Sequence, residues 1–204
     1  MEQIGNGKKR SGLGGVIKVI AISSILVAVT HVDGAAFAQT KEDPAASAKA
    51  FLAASQVLLH PRCVNCHPVG DSPLQGDESR VHAMNVKRGP DGMGKSAMRC
   101  SNCHQATNQP GAHMPPGGPG WHLPAEEMPM VFEKRTPREL CMQLKDPAKN
   151  GNMTLKEVLE HVQTAPLVLW GWNPGEGRTS VSMPHNEFVR HMAEWVEKGA
   201  ACPE

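Results

Sequence analysis

The decapeptide PRCVNCHPVG, residues 61–70, holds Cys63, Cys66 and His67; a second, MRCSNCHQAT, residues 98–107, repeats the spacing at Cys100, Cys103 and His104. Four of the chain's six cysteines therefore lie in two copies of C-x-x-C-H. On a helical turn, positions i and i+3 share a face, so two thiols can reach the two vinyl groups of one porphyrin. The adjacent histidine then falls beneath the iron and offers an imidazole nitrogen as its proximal ligand. The pattern predicts two haem c groups, covalently attached at Cys63/Cys66 and Cys100/Cys103, with His67 and His104 as proximal iron ligands.

Other readings of paired cysteines fit less well. Zinc ribbons separate their C-x-x-C pairs by about 15–20 residues, whereas 33 residues lie between Cys66 and Cys100. A thioredoxin-like redox pair needs a βαβ pattern, and disulfides leave His67 and His104 without a purpose. The motifs start 37 residues apart, too close for two full-sized tandem domains, so both groups are expected to share one small fold.

Outward from the motifs, the chain reads as a leader and one domain. Lys8, Lys9 and Arg10 precede the apolar run Val16–Thr30, and an A-x-A site follows at Ala36–Ala38. That order predicts a signal peptide over residues 1–38, cleaved before Gln39, and hence a periplasmic protein with no stable membrane insertion. Removing 38 of 204 residues leaves 166 for a dihaem domain, 39–204. Of 21 Lys/Arg and 20 Asp/Glu, four and two fall in the leader. The remaining 17 and 18 nearly balance and carry none of the basic excess that nucleic-acid binding calls for. The chain has no Tyr and only four Phe, so a large apolar cofactor would help fill its core.

The secondary structure is expected to be mainly α with long ordered loops. DPAASAKAFLAASQVLLH leads into the first motif as a helix. Thr136-Pro137 with Glu139, and Thr154 with Glu157, are capping-box starts. The helix NEFVRHMAEWVEKG presents Phe188, Met192, Trp195 and Val196 on one face and ends at Gly199. Residues 68–99 and the Pro/Gly-dense 105–130 read as irregular, and no alternating strand pattern is found. Cys141 and Cys202 form an even leftover pair, expected as a disulfide in an oxidising compartment.

Histidine or methionine must close the other face of each iron. His82 lies in a loop able to fold over the first haem, His122 lies beyond the second motif beside Trp121, and His161 sits on the helix LKEVLEHV; these three are the candidate distal ligands. His60 is too near its own haem but could serve the other. Methionine competes at Met84 and at the Met-Pro pairs of Met114, Met128 and Met183. A bis-histidine pair is expected at both irons. Trp170 and Trp172 are expected to pack in the core or over a porphyrin, with partner docking as the alternative.

From Leu58 to Pro203 the chain resembles the small dihaem c-type cytochromes commonly labelled isoquinoline 1-oxidoreductase subunit. The residues carrying the resemblance are HPRCVNCHP (60–68), GDSPLQGD (70–77), HAMNVKRGPDGMGKSAMRCSNCHQATNQPG (82–111), WHLPAEEM (121–128), LVLWGWNPGEGR (167–178) and GAACP (199–203). The resemblance implies a c-type cytochrome-like, compact dihaem domain that passes single electrons between a redox enzyme and a periplasmic or respiratory acceptor. It names a molybdenum hydroxylase as a candidate donor. The chain lacks the C-x₄-C-x₂-C spacing of plant-type iron–sulfur subunits, which makes it the cytochrome partner of such an enzyme and not its catalytic subunit. The enzymatic alternative is a dihaem peroxidase-like protein with one open haem site; the structural alternative is a zinc module.

Overall fold

Asp43 accepts the Ala46 N–H at 3.0 Å and Pro44 presets φ at the first helical position, so helix α1 (Pro44–Leu58) starts where the chain leaves its polar lead-in. In the computed structural model, which describes residues 42–204, α1 is followed by the single turn α2 (Pro61–Val64) and a two-residue antiparallel ladder. The ladder pairs β1 (Leu74–Gln75) with β2 (Arg80–Val81), Leu74 opposite Val81. Helices α3 (Pro137–Lys145), α4 (Leu155–Thr164), α5 (Pro166–Leu169) and α6 (His185–Glu197) complete a helix-rich chain. The ladder and α5 are absent from the sequence expectation, and both are too short to leave a periodic signal. The leader, 1–38, lies outside the described residues. Among the described residues no helix is long and apolar enough to cross a membrane.

Both capping boxes form as the sequence predicts. Thr136 and Thr154 each accept the N–H of the glutamate three residues on, and Glu139 and Glu157 return the bond to the cap. Helix α6 buries Phe188, Met192 and Trp195, with Val196 partly buried against the same core. The chain leaves it through Gly199 at φ +100°, a left-handed conformation that favours glycine.

The core centres on α1 against α6. Ser47, Ala50, Phe51, Ala54, Val57 and Leu58 recur at helical spacing along α1, and the ring of Phe51 meets that of Trp195 at 4.8 Å. Ser47, fully buried, donates to the Trp195 carbonyl at 2.8 Å and accepts the Ala201 N–H at 2.9 Å. Trp195 Nε1 donates to the Ala201 carbonyl, and the Cys141–Cys202 disulfide ties the C-terminal segment to α3. Asn150 joins α3 to α4: fully buried, it donates to the Leu144 and Met153 carbonyls and accepts the Met153 N–H, each at 2.8 Å. Asn150→Ala removes three hydrogen bonds, one of them fully buried, and is expected to cost about 2–3 kcal/mol, read as a lower urea midpoint at unchanged slope. A loss under about 0.5 kcal/mol, the range of ordinary surface changes, would show that these bonds hold nothing together.

The two long loops are held by the chain itself. Arg88, 2% exposed, donates to the Pro124 carbonyl at 2.8 Å and the Gly70 carbonyl at 3.1 Å. Leu123 N–H donates to the Gly92 carbonyl, and a Cβ on Gly92 (φ +76°) would sit 1.9 Å from the Leu123 oxygen, so only glycine allows this approach. These bonds stitch 68–99 to 119–130.

Candidate functional site

The two motifs fold into the same turn by different routes. In the first, α2 begins at Pro61 with His60 Nδ1 accepting the Arg62 N–H, and the Cys66 and His67 N–H groups both return to the Cys63 carbonyl, at 3.1 and 3.2 Å. In the second, which follows irregular chain, the Cys103 and His104 N–H groups return to the Cys100 carbonyl at 3.1 and 2.9 Å. Each turn carries its two cysteines and delivers its histidine to a prepared seat.

The seats match. His67 Nδ1 lies 2.7 Å from the Met130 carbonyl oxygen, and His104 Nδ1 lies 2.7 Å from that of Pro116. A carbonyl only accepts, so each Nδ1 carries the proton and each Nε2 keeps its lone pair. A flat aromatic ring backs each imidazole: Phe132 on His67 at 4.0 Å and 11°, Trp121 on His104 at 4.7 Å and 1°. Carbonyl and plate together fix ring orientation and tautomer, as the surroundings of metal-bound histidines commonly do.

The first motif opens on an apolar cavity of about 340 Å³ reaching into the core at Leu58, Val158, Val162 and Phe188. His122 and His161 line it with His67, and the methionines at its wall are Met130 and Met153, not the Met-Pro residues singled out in the sequence. His161 is exposed, but it faces this cavity. Burial pushes the Cys63 thiol up to about 12, with Cys66 adding to it, and the Cys66 thiol up to about 11. Burial draws His67 down to about 4 and, with His122 nearby, lowers His161. Both thiols and the His67 imidazole are therefore uncharged at neutral pH.

The second motif sits at the surface. Cys100 is 8% exposed while Cys103 is open, and a shallower concavity of about 270 Å³ runs along His104, Trp121, Met93 and Arg99. Burial raises the Cys100 thiol and lowers His104. His82 lies near it, edge-on at 63° with its ring centre 6.1 Å from that of His104. Its Nδ1 is 2.7 Å from the Ala83 carbonyl, leaving Nε2 free as in His104.

The loops thus exchange the candidates. His82, expected over the first motif, comes to the second, and His122, expected near the second, comes to the first. The cause is the stitching at Arg88 and Gly92, which turns 68–99 toward 100–104 and feeds 119–130 under His67. The remaining described histidines lie elsewhere: His60 caps α2, His185 Nε2 meets the Val162 carbonyl at 2.9 Å, the ring of His113 lies against Gly177, and His191 Nε2 is 3.7 Å from Glu187. Met84, at φ 65° and 70% exposed, points to neither seat as a buried ligand would. Trp172 joins the core, its Nε1 donating to the Met183 carbonyl, while Trp170 packs edge-on to Trp121 at 5.0 Å. Phe132, Trp121 as a plate and Arg62 escaped the sequence reading, and only Trp121 had a local signal, in its stiff GPGWHLP segment.

Among the described residues no group of three or more His, Cys, Asp or Glu is placed to hold a metal ion. An iron inside a porphyrin asks the protein for only two ligands on one axis. His82 and His104, with ring centres 6.1 Å apart and each Nδ1 on a carbonyl, are the pair that could hold the iron of a haem attached at Cys100 and Cys103. The residues at both motifs fit the group that their pattern implies. No family model, no curated protein and no solved structure matches the chain.

Proposed function

We propose that the protein is an exported dihaem c-type cytochrome that carries single electrons between a redox enzyme and a periplasmic or respiratory acceptor. The observation supporting it most directly is the duplicated seat: one C-x-x-C-H turn, one carbonyl on Nδ1 and one aromatic plate, built twice from unrelated stretches of chain. Bound haem would supply a one-electron iron couple; the chain supplies attachment, orientation and shielding. Cys63 and Cys66 hold the first group and Cys100 and Cys103 the second. His67 and His104 present Nε2 from the proximal side. His82, beside His104, would be the second iron ligand of the second site, and His161 or His122 that of the first, whose lining is mainly apolar. A molybdenum hydroxylase is the donor suggested by the family resemblance. His82 beside His104 does not favour an open peroxidase-type iron at that site.

The test is intact mass and visible spectroscopy of protein exported from a host that attaches haem. The expected mass is residues 39–204 plus two haems, with both irons low-spin and inert to peroxide. In His82→Ala, one of the two irons should turn high-spin, and added imidazole should restore it. A colourless product, or a high-spin wild-type iron that turns over peroxide, overturns the reading.

A further inference from the structure

Arg62 directly precedes Cys63, yet its side chain is only 1% exposed. Its Nη2 pairs with Asp77 at 2.6 Å and donates to the Gly76 carbonyl at 2.9 Å, and its guanidinium lies 5.8 Å from the centre of the Trp170 ring. Its Nε is buried with no hydrogen-bond partner, and the residue lines the first cavity. A buried donor left unpaired is uncommon enough to need a cause.

Asp77 is also shared, accepting the Thr179 N–H at 3.1 Å and the Thr179 hydroxyl at 2.7 Å besides Arg62. A second guanidinium, Arg178, is held nearby by the Met114 and Pro174 carbonyls; burial and then Arg62 lower its pKa, while Asp77 opposes them. Asp77 thus divides its oxygens between Arg62 and Thr179, and Arg62 Nε is left unpaired beside an apolar cavity. A buried guanidinium donor in that state is costly unless an acceptor completes it. The cavity's apolar lining suits no free small anion; it suits an apolar body with a carboxylate at its edge.

We propose that Arg62 binds a carboxylate side chain of the tetrapyrrole held at Cys63 and Cys66, and that Asp77 competes for the same guanidinium. The proposal rests on the dihaem reading. Arg62 is on this account a positioning residue that also sets the first iron's potential: its positive charge disfavours the ferric state, and Asp77 offsets part of that effect.

The experiment uses the exported holoprotein and begins by confirming two haems by mass. In Arg62→Gln, the ferric-to-ferrous ratio of the first centre at a fixed ambient potential should rise about tenfold, a fall of about 59 mV for a one-electron couple. In Asp77→Asn it should move the opposite way. The resonance Raman band of the tetrapyrrole carboxylates should shift in Arg62→Gln. It should stay in place in Arg138→Gln, because Arg138 lies on α3 and its guanidinium binds the Pro203 carbonyl of the C-terminal segment. Two haems with an unmoved first potential and an unmoved band, or a shift at the second centre alone, overturn the proposal while leaving the dihaem reading standing. Wild-type protein without haem overturns both. Should Arg62→Gln fail to accumulate, Asp77→Asn decides: a raised first potential supports the competition, and an unchanged one refutes it.

Discussion

Replacing Cys63, Cys66 and His67 together by alanine is expected to unfold the protein, whereas the same change at Cys100, Cys103 and His104 should leave it folded with one haem. The asymmetry follows from where the two seats lie. The first cavity is bounded by Leu58, Leu144, Val158, Val162 and Phe188, which belong to the main core. Left dry and unrelaxed, its 340 Å³ would cost at most about 8 kcal/mol at roughly 24 cal/mol per Å³, and less where water enters at the mouth. Even half of that upper bound is a large share of the stability of many single domains, about 5–15 kcal/mol. The second concavity borders solvent and exposes Cys103, so water can fill it at little cost. Export yield, intact mass and a thermal melt of both triple variants provide the comparison. A cooperative melt at the wild-type temperature in the first variant would mean that the cavity closes by itself and that no cofactor is needed to complete the core.

Loss of the Cys141–Cys202 disulfide should be the next largest effect. The bond closes a loop of 61 residues, for which the chain-entropy account gives about 4 kcal/mol. It also protects the bonds of Ala201 to Ser47 and Trp195, which seal α1 against α6. In the paired serine variant carrying both haems, the urea midpoint should fall by roughly 2 M at a slope of about 2 kcal/mol per M. The spectra of both irons should not change, because neither cysteine lies at either motif. A fall below about 0.3 M would show that Ser47 and Trp195 hold the C-terminal segment unaided. A spectral change would show that the C-terminal segment reaches a haem site.

The parts of the structure readable in advance are those whose cause is local. Thr136 with Glu139 and Thr154 with Glu157 satisfy backbone donors within one turn, so the sequence announces both helix starts. The face of α6 repeats every three to four residues, and its burial follows. The C-x-x-C-H turn is equally local, because both motif carbonyls, Cys63 and Cys100, receive bonds from residues three and four positions on. The pairing of Cys141 with Cys202 was legible only by elimination, once four of six cysteines had another use.

What stayed illegible depends on contacts between distant residues. The sequence places His82 over the first motif and His122 near the second, but each lies in a loop longer than a helix-to-helix connection needs, and the structure exchanges them. Arg88 bonding to Gly70 and Pro124, and Gly92 bonding to Leu123, route these loops, and neither arginine nor glycine advertises its partner in sequence. The Phe132 plate, 65 residues from His67, and the orphaned Nε of Arg62 arise the same way. The sequence by itself determined the C-x-x-C-H turns, the helix starts and the disulfide partners, because each is written within a turn or by counting. Tertiary structure alone decided which histidine lies near which motif and which site reaches into the core, because those follow from long-range backbone bonds and core packing.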